Sequence, residues 1–230
     1  GVNDPPAIHI AGNGGAQKIS TREIDQVLRE YPDSTLSTAV LESRSDLSHE
    51  LLYVHLPDKT LVYDGAGSAA AGQPVWFVLQ SGTTPAGYRA RGFVWCYSRW
   101  NVADPFGTKI GYLSDDVGSH YGDPCRWEFT TPIVYGGGYG IQIHELDLVS
   151  VAGRVDPGDE PMIGTQYSLD GQIWSQPRYI RSARNGQIVR RLTWDRQGMF
   201  RSWRIQRFIG DSSSRLSFAR LEARDERLSA

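Results

Sequence analysis

Cysteine is nearly absent from this chain. Cys96 and Cys125 are the two it has, and neither stands in a C-x-x-C pair or at a zinc-ligand spacing. That excludes a small disulfide-built scaffold and a structural zinc module. Both thiols are expected to be reduced and structural, with a disulfide between them left open. No apolar run reaches the roughly 18 residues of a membrane-spanning helix. The opening Gly1–Pro6 has neither the basic nor the apolar region of a secretory signal, and Gly1 in place of Met is expected of a processed chain or a piece of a longer one. The histidines, His9, His49, His55, His120 and His144, share no H-x-x-x-H spacing. Ser119-His120 near Asp115 and Asp116 lacks a G-x-S-x-G elbow and reads as a polar loop. Asp115, Asp116 and Asp123 lack the spacing of an EF-hand and read as a solvated turn. The glycine-rich run 136–140 is followed by no helix with a Lys, so it reads as a hairpin tip, not a phosphate loop. No catalytic residue, metal or cofactor is expected.

Lysine is scarce too: Lys18, Lys59 and Lys109 are three of 24 basic residues, and the other 21 are Arg. Guanidinium groups form bidentate, partly buried ion pairs and stack on aromatic rings, which suits subunit contacts better than loose binding of a polyanion. The charges are unevenly spread. Residues 178–230 hold 13 Arg against five acids, and the rest of the chain is correspondingly acidic, within a net charge of −2. Subunits meeting acidic face to basic face, a polyanion partner, or Arg covering the outer faces of strands would each account for this.

What is plentiful points to strands. The 230 residues suffice for one large β domain or two smaller ones, and seven Trp and eleven Tyr suit a pleated, half-buried surface. With 25 Gly and 12 Pro, many turns follow. The one clear helix is near 20–31: Ser20 or Thr21 caps it, Glu23 completes a capping box, Ile24, Val27 and Leu28 repeat at helical spacing, and Tyr31-Pro32-Asp33 stops it. Strands are expected at His49–Leu56, Thr60–Tyr63 and Pro74–Gln80, the last apolar enough to be central, then over GFVWCY from Arg91 and, past Asp104-Pro105-Phe106-Gly107, over KIGYL. Two such groups at intervals of about 40–50 residues suggest propeller blades. From Arg126 the strands lengthen. Hairpins are expected to turn at Asp170-Gly171 and near Gln197-Gly198. The expected fold is mainly β: antiparallel propeller-like blades over 1–125 with one short helix, then a C-terminal β region over 126–230 that is either sandwich-like or further blades.

The string KISTREIDQVLREYPD, then HELLYVHLPDKTLVYD and PVWFVL, then YLSDDVGSHYGDPCRWEFTTPIVY, IHELDLVSVAGRV and YSLDGQIWS, resembles the packaged-DNA stabilisation (tail nozzle) proteins of short-tailed bacteriophages over residues 16–220. The resemblance implies a virion structural protein, made in the bacterial host cytoplasm. It would form a ring, hexameric in the particle, and dock on portal, adaptor and other tail proteins. It would help attach the tail and keep DNA in the head, with no strong sequence-specific nucleic-acid binding, no membrane and no catalysis. It further implies that the chain is the C-terminal half of such a protein. The alternative is a glycan-binding or glycan-cleaving, sialidase-like propeller of a phage tail or secreted system. Ser168, Asp170, Gly171 and Trp174 resemble the Asp-box of sialidase propellers, one residue short of its spacing, and that box is a structural turn. Arg191, Arg196, Arg201, Trp203, Arg204 and Arg207 interleave Arg with an aromatic residue. On a strand Trp203 and Arg204 point to opposite faces, so the cluster reads as a subunit interface before a single-strand binding site.

Overall fold

A computed structural model of the chain describes residues 6–12, 14–84, 86–152, 161–182, 189–213 and 216–228. Part of the turn-rich stretch Asn3–Gly15, expected from its sequence to be a joint, and the opening Gln187-Ile188 of a further expected strand, QIVRRLTW, lie outside these residues. The chain divides into two compact units, Gly1–Ser81 with Pro85–Leu113, and Gly82–Thr84 with Ser114–Ala230. Strand outweighs helix, 54% to 9%, so the fold is mainly β.

In the first unit a hairpin of β1 (His9–Gly12) and β2 (Gly15–Lys18) leads into helices α1 (Arg22–Arg29) and α2 (Asp33–Leu36). Thr21 is the N-cap of α1, its hydroxyl accepting from Ile24 N at 3.4 Å. Ser20 is not the cap: its hydroxyl donates to Asp25 at 2.6 Å and accepts from Ile8 N at 3.0 Å. Strands β3 (Val40–Asp46), β4 (His49–His55), β5 (Thr60–Asp64) and β6 (Val75–Leu79) then form one antiparallel sheet in chain order. Ile24 and Leu28 of α1 pack on one face of it, against Val54, Leu56 and Leu61. The stretch expected to be central, 75–79, is an edge strand, and the buried inner strand is β5. A third helix, α3 (Gly65–Ala71), fills the connection between β5 and β6, where the sequence led to no helix being expected. Asp64 is its N-cap, accepting from Gly67 N at 2.9 Å, and GAGSAAA carries no apolar stripe to reveal it.

The other face of this sheet meets a second one, β7 (Arg91–Cys96), β8 (Arg99–Ala103) and β9 (Ile110–Tyr112). Phe93 lies 4.6 Å from Tyr53, ring to ring. Arg44 sits 6.0 Å from the rings of both Phe93 and Trp100 and donates to the Tyr53 hydroxyl and to Asp46. Beside them His55 is buried between Thr60 Oγ1 and Glu42 Oε2, each 2.9 Å away, while Glu42 also accepts from Gly92 N at 2.8 Å. Burial pushes the His55 pKa down against the pull of Glu42, which favours the neutral ring. A four-stranded antiparallel meander is the make-up of one propeller blade.

In the second unit, β10 (Ser119–His120) and β11 (Asp123–Pro124) form a small hairpin. Then come β12 (Trp127–Thr130), β13 (Val134–Tyr135), β14 (Ile141–Ala152), β15 (Met162–Ser168), β16 (Arg178–Arg181), β17 (Val189–Phe200), β18 (Trp203–Gly210) and β19 (Leu216–Arg227). They form two sheets, β12-β18-β15-β16 with β13 also on β18, and β17-β14-β19. Ile163 and Phe208 from the first bury against Leu148, Leu192 and Trp194 from the second, and Phe129 stacks on Phe208 at 5.1 Å. This is a sandwich core. β15 and β16 do pair, but through a nine-residue connection, 169–177, not a tight turn at Asp170-Gly171. Gln197-Gly198 is no turn either. It lies inside β17, where Arg196 at φ 54° and Gly198 at φ 78° make the irregularity opposite Ile143 and Glu145, and the chain reverses at 201–202 to enter the other sheet. Cys96 and Cys125 are not joined in a disulfide and lie one in each unit.

Both long hairpins of the first unit turn on left-handed, non-glycine pairs: Leu47-Ser48 at φ 45° and 71°, Tyr97-Ser98 at φ 54° and 56°. Leu47 is 85% exposed and Tyr97 89%, so nothing within the fold holds them there. Asn-Gly suits such turns at far lower strain. Replacing Leu47-Ser48 by Asn-Gly is expected to raise the unfolding free energy by about 1 kcal/mol or more, read from urea midpoints. A lower midpoint would show that the side chain is held by contacts of its own.

Candidate subunit interface

The ten residues that the sequence singles out all lie in the second unit, on β15, β17 and β18 or in the connections that follow β15 and β17. β18 runs along β15 with Ser168 opposite Ile205, so the connection after β15 folds back beside Trp203. There the buried Ser168 hydroxyl accepts from Gly171 N at 2.9 Å and donates to Asp170. Asp170 Oδ1 takes Ile173 N at 2.7 Å and Gln172 N at 2.8 Å. Those two amides, with the Ser168 hydroxyl, hold its carboxyl below the usual carboxylate range. Gly171 at φ 75° makes the bend. Trp174 follows, its ring 3.9 Å beneath the Arg207 guanidinium, which also donates to Gln166 at 2.7 Å. The turn and the Arg series, two separate readings in the sequence, thus meet at Trp174 and Arg207.

The six interface candidates divide by environment. Arg196 and Arg201 are exposed, and Trp203 is half-buried opposite Tyr135 on the neighbouring strand. Arg207 is half-buried in the stack with Trp174. Arg191 is exposed but engaged, bridging all three strands of its sheet by donating to Asp147 at 2.6 Å and Glu222 at 2.7 Å. Asp147 also accepts from Thr193 at 2.6 Å. Burial alone would raise its pKa, but Thr193 and Arg191 hold it below the carboxylate range.

Arg204 differs from expectation: it is 2% exposed, within the sandwich and not on its surface. Its guanidinium donates to Gln206 Oε1 at 2.7 and 3.0 Å, to the Gln197 carbonyl at 2.6 Å and to the Gln197 side chain at 3.3 Å, and it lies 4.2 Å over the Tyr167 ring. Burial among neutral dipoles pulls its pKa down to about 10, so it remains charged at neutral pH. Sequence reasoning missed this cage. The one available signal was the shared parity of Arg204, Gln206 and Phe208, which puts the guanidinium on the strand face that carries a core phenylalanine.

The charge asymmetry along the chain also resolves inside this unit, which holds 15 Arg and 15 acids, while the first unit holds nine basic and eleven acidic residues. The basic stretch after 178 lies in the same unit as the acidic stretch before it and pairs with it at Arg191–Asp147 and, at 3.9 Å, Arg207–Glu128. His144 is exposed, 3.3 Å from Glu226. Among the described residues no three His, Cys, Asp or Glu side chains gather as a metal site would require.

Residues 1–118 match a family model described as bacteriophage P22 Gp10, beta-propeller, and residues 126–226 one described as bacteriophage P22 Gp10, beta-sandwich. Among curated proteins, the tail hub protein gp10 of Salmonella phage P22 is 28% identical over 205 residues, covering 89% of this chain and 41% of that protein. The chain therefore spans about two-fifths of that relative's length.

Arg204→Met leaves the Gln197 and Gln206 oxygens buried without a donor. It is expected to destabilise the protein by about 1–3 kcal/mol, whereas Arg196→Glu and Arg201→Glu on the surface should shift stability by less than about 0.5 kcal/mol. Equal stability of Arg204→Met and the parent in urea would refute the caged-cation reading. Asp147 has a lower pKa folded than unfolded, so its contribution is complete above the ordinary carboxylate value and is lost as pH falls through the folded one. Asp147→Asn should accordingly lower the melting temperature at pH 7, and the gap from the parent should close on acidification. A gap that widens towards low pH would contradict that assignment.

Proposed function

The chain belongs to the bacteriophage P22 Gp10 family, and from that premise we propose that it is a structural part of a short-tailed phage tail. In this reading it is a ring-forming component at the portal vertex that helps keep packaged DNA in the head and attach the tail. The observation that carries the reading is the ordered pair of matches, propeller then sandwich, across nearly the whole chain. It is non-catalytic, resides in the virion after synthesis in the host cytoplasm, and meets further copies of itself, a hexamer in the particle, together with portal, adaptor and other tail proteins.

The physics suits the role. Each unit is a stack of antiparallel sheets with a buried aromatic seam, which resists deformation. Neither unit carries a large excess of basic residues, and cations such as Arg44, Arg191, Arg204 and Arg207 engage carboxylates, rings and amide oxygens. A surface of that kind gives a moving duplex little electrostatic hold. Arg196 and Arg201 are exposed, and Arg201 adjoins the Trp203–Tyr135 pair, a composition that suits a subunit contact. The glycan alternative has the Asp170 turn in its favour, but that turn orders a loop and presents no sugar-binding cluster.

The test is DNA retention. Deleting the full-length gene from its phage should give heads that package normally and then lose DNA to nuclease, and added protein should restore protection. Particles that keep their DNA but fail to attach to cells would move the protein to receptor or glycan recognition. Reversing Arg196 and Arg201 together to Glu is expected to block assembly with the melting temperature unchanged, and assembly that survives the reversal would remove that patch from the contact.

A further inference from the structure

The seam between the two sheets of the first unit holds a buried group that can change charge near neutral pH. His55, on β4, turns its ring towards β7, where Phe93 lies 6.4 Å away, ring to ring. The ring has no exposed surface. Both of its nitrogens are engaged, Nδ1 with Thr60 Oγ1 and Nε2 with Glu42 Oε2, each at 2.9 Å. Glu42 also accepts from Gly92 N, at 2.8 Å and 3.2 Å to its two oxygens. Gly92 falls in the register shift between Arg91 and Val94, with φ 67°, and its amide turns to Glu42 there. A single carboxylate thus holds the ring of one sheet and a backbone amide of the facing sheet.

A carboxylate can only accept, so Nε2 carries the ring hydrogen and Nδ1 accepts from the Thr60 hydroxyl. Both nitrogens are then matched without a charge on the ring. A second proton would go to Nδ1, and the Thr60 hydroxyl, which is fully buried, would have to turn its hydrogen elsewhere. The charges around the ring oppose that proton as well. On β3, Glu42 and Asp46 stand against Arg44, which donates to Asp46 and to the Tyr53 hydroxyl of β4. On β7, Arg91 works against a positive ring. β5 offers the uncharged Thr60 and, at its far end, Asp64, which pairs with the exposed His49 of β4 at 2.7 Å. Past the end of β8, Asp104 is held by Arg89 at 2.7 Å, and β6 and β9 have no charged residue. The carboxylates around the ring are therefore already matched by Arg44 and Arg91. An imidazolium would be a surplus charge in a site closed to water.

We infer that Glu42 and His55 form a proton-operated latch between the two sheets, closed while the ring is neutral and released by acid. Release parts β7–β9 from β3–β6 locally, lets water hydrate the imidazolium and frees the Gly92 amide. The opposite face of the four-stranded sheet has no reason to follow, because Ile24 and Leu28 of α1 meet Val54, Leu56 and Leu61 there through apolar contacts alone. Burial of the ring, with Arg91 beside it, outweighs the pull of Glu42 and sets the folded pKa below the ordinary imidazole value. The latch is accordingly complete above that ordinary value and weakens as pH falls from it towards the folded one.

The test uses the chain as it stands, between about pH 8 and about pH 5. Nitrogen NMR of the His55 ring is expected to show the hydrogen on Nε2 at the upper end, and a titration below the ordinary value of about 6.5. Exchange of the Gly92 amide, corrected for its intrinsic pH dependence, is expected to quicken about tenfold per pH unit below that value, because each opening takes up one proton. The Leu61 amide, on the strand packed against α1, should keep its protection. His55→Gln retains a donor for Glu42 and an acceptor for Thr60 but cannot take the proton, so its Gly92 exchange should lose the acid dependence. His49 is intact in that variant, which separates its titration from that of His55. The readings on the parent need no variant and stand even where His55→Gln fails to fold. A ring that titrates at or above the ordinary value, Gly92 protection that is flat with pH, joint loss of Gly92 and Leu61 protection, or acid dependence that survives in a folded His55→Gln overturns the latch.

Discussion

A sheet has two faces, and in a protein with little helix each face that is not wet has to be covered by another sheet or by one of the few helices. That constraint organises both units. In the first, α1 covers one face of the four-stranded sheet through Ile24 and Leu28, and the three-stranded sheet covers the other through Phe93 on Tyr53. In the second, two sheets cover each other, with Phe208 and Trp194 as the bulk of the seam. Stacking of this kind accounts for the strong use of aromatic side chains, because a ring spans the gap between sheets with little loss of rotational freedom.

The best-matched polar groups in these seams find their partners on adjoining strands. Glu42 satisfies both the buried His55 and the amide of Gly92, tying the two sheets of the first unit together. Arg204 is held by two glutamines and a tyrosine ring with no carboxylate among its contacts. A carboxylate would add Coulomb attraction, but a second buried ion would also have to be desolvated, and the balance of the two is often close to nil. The neutral cage achieves orientation at lower risk: the guanidinium fixes the side chains of Gln197 and Gln206, and Gln206 in turn reaches Thr165 on the next strand. One cation thereby sets the spacing of β17, β18 and β15.

The parts legible in the sequence were those governed by period and by local chemistry. Helix α1 followed from Thr21 and the spacing of Ile24 and Leu28, and β4, β5 and β6 of the first unit stand where strands were expected, whereas β3 was not anticipated. The Asp170 turn was visible as a turn, but its neighbours were not, because Trp174 finds Arg207 only once β18 lies beside β15. Tertiary context overrode local signal elsewhere. Gln197-Gly198 has the dipeptide character of a hairpin tip, yet β17 continues through it because both flanking segments pair with β14. Helix α3 is invisible to hydrophobic pattern since it is nearly all Gly and Ala, and it forms because Asp64 offers a cap. The charge split along the chain was real, but linear order concealed that its two halves fold against one another.

β14 is twelve residues long and antiparallel to both of its neighbours along nearly its full length. Such a ladder is mechanically anisotropic. A load directed along the strand is shared by many hydrogen bonds at once, whereas a load directed across it opens them one after another. The second unit is therefore stiff along a single axis and weak to peeling from the ends of β17 and β19, and the direction of an applied load decides which of those two strengths it meets.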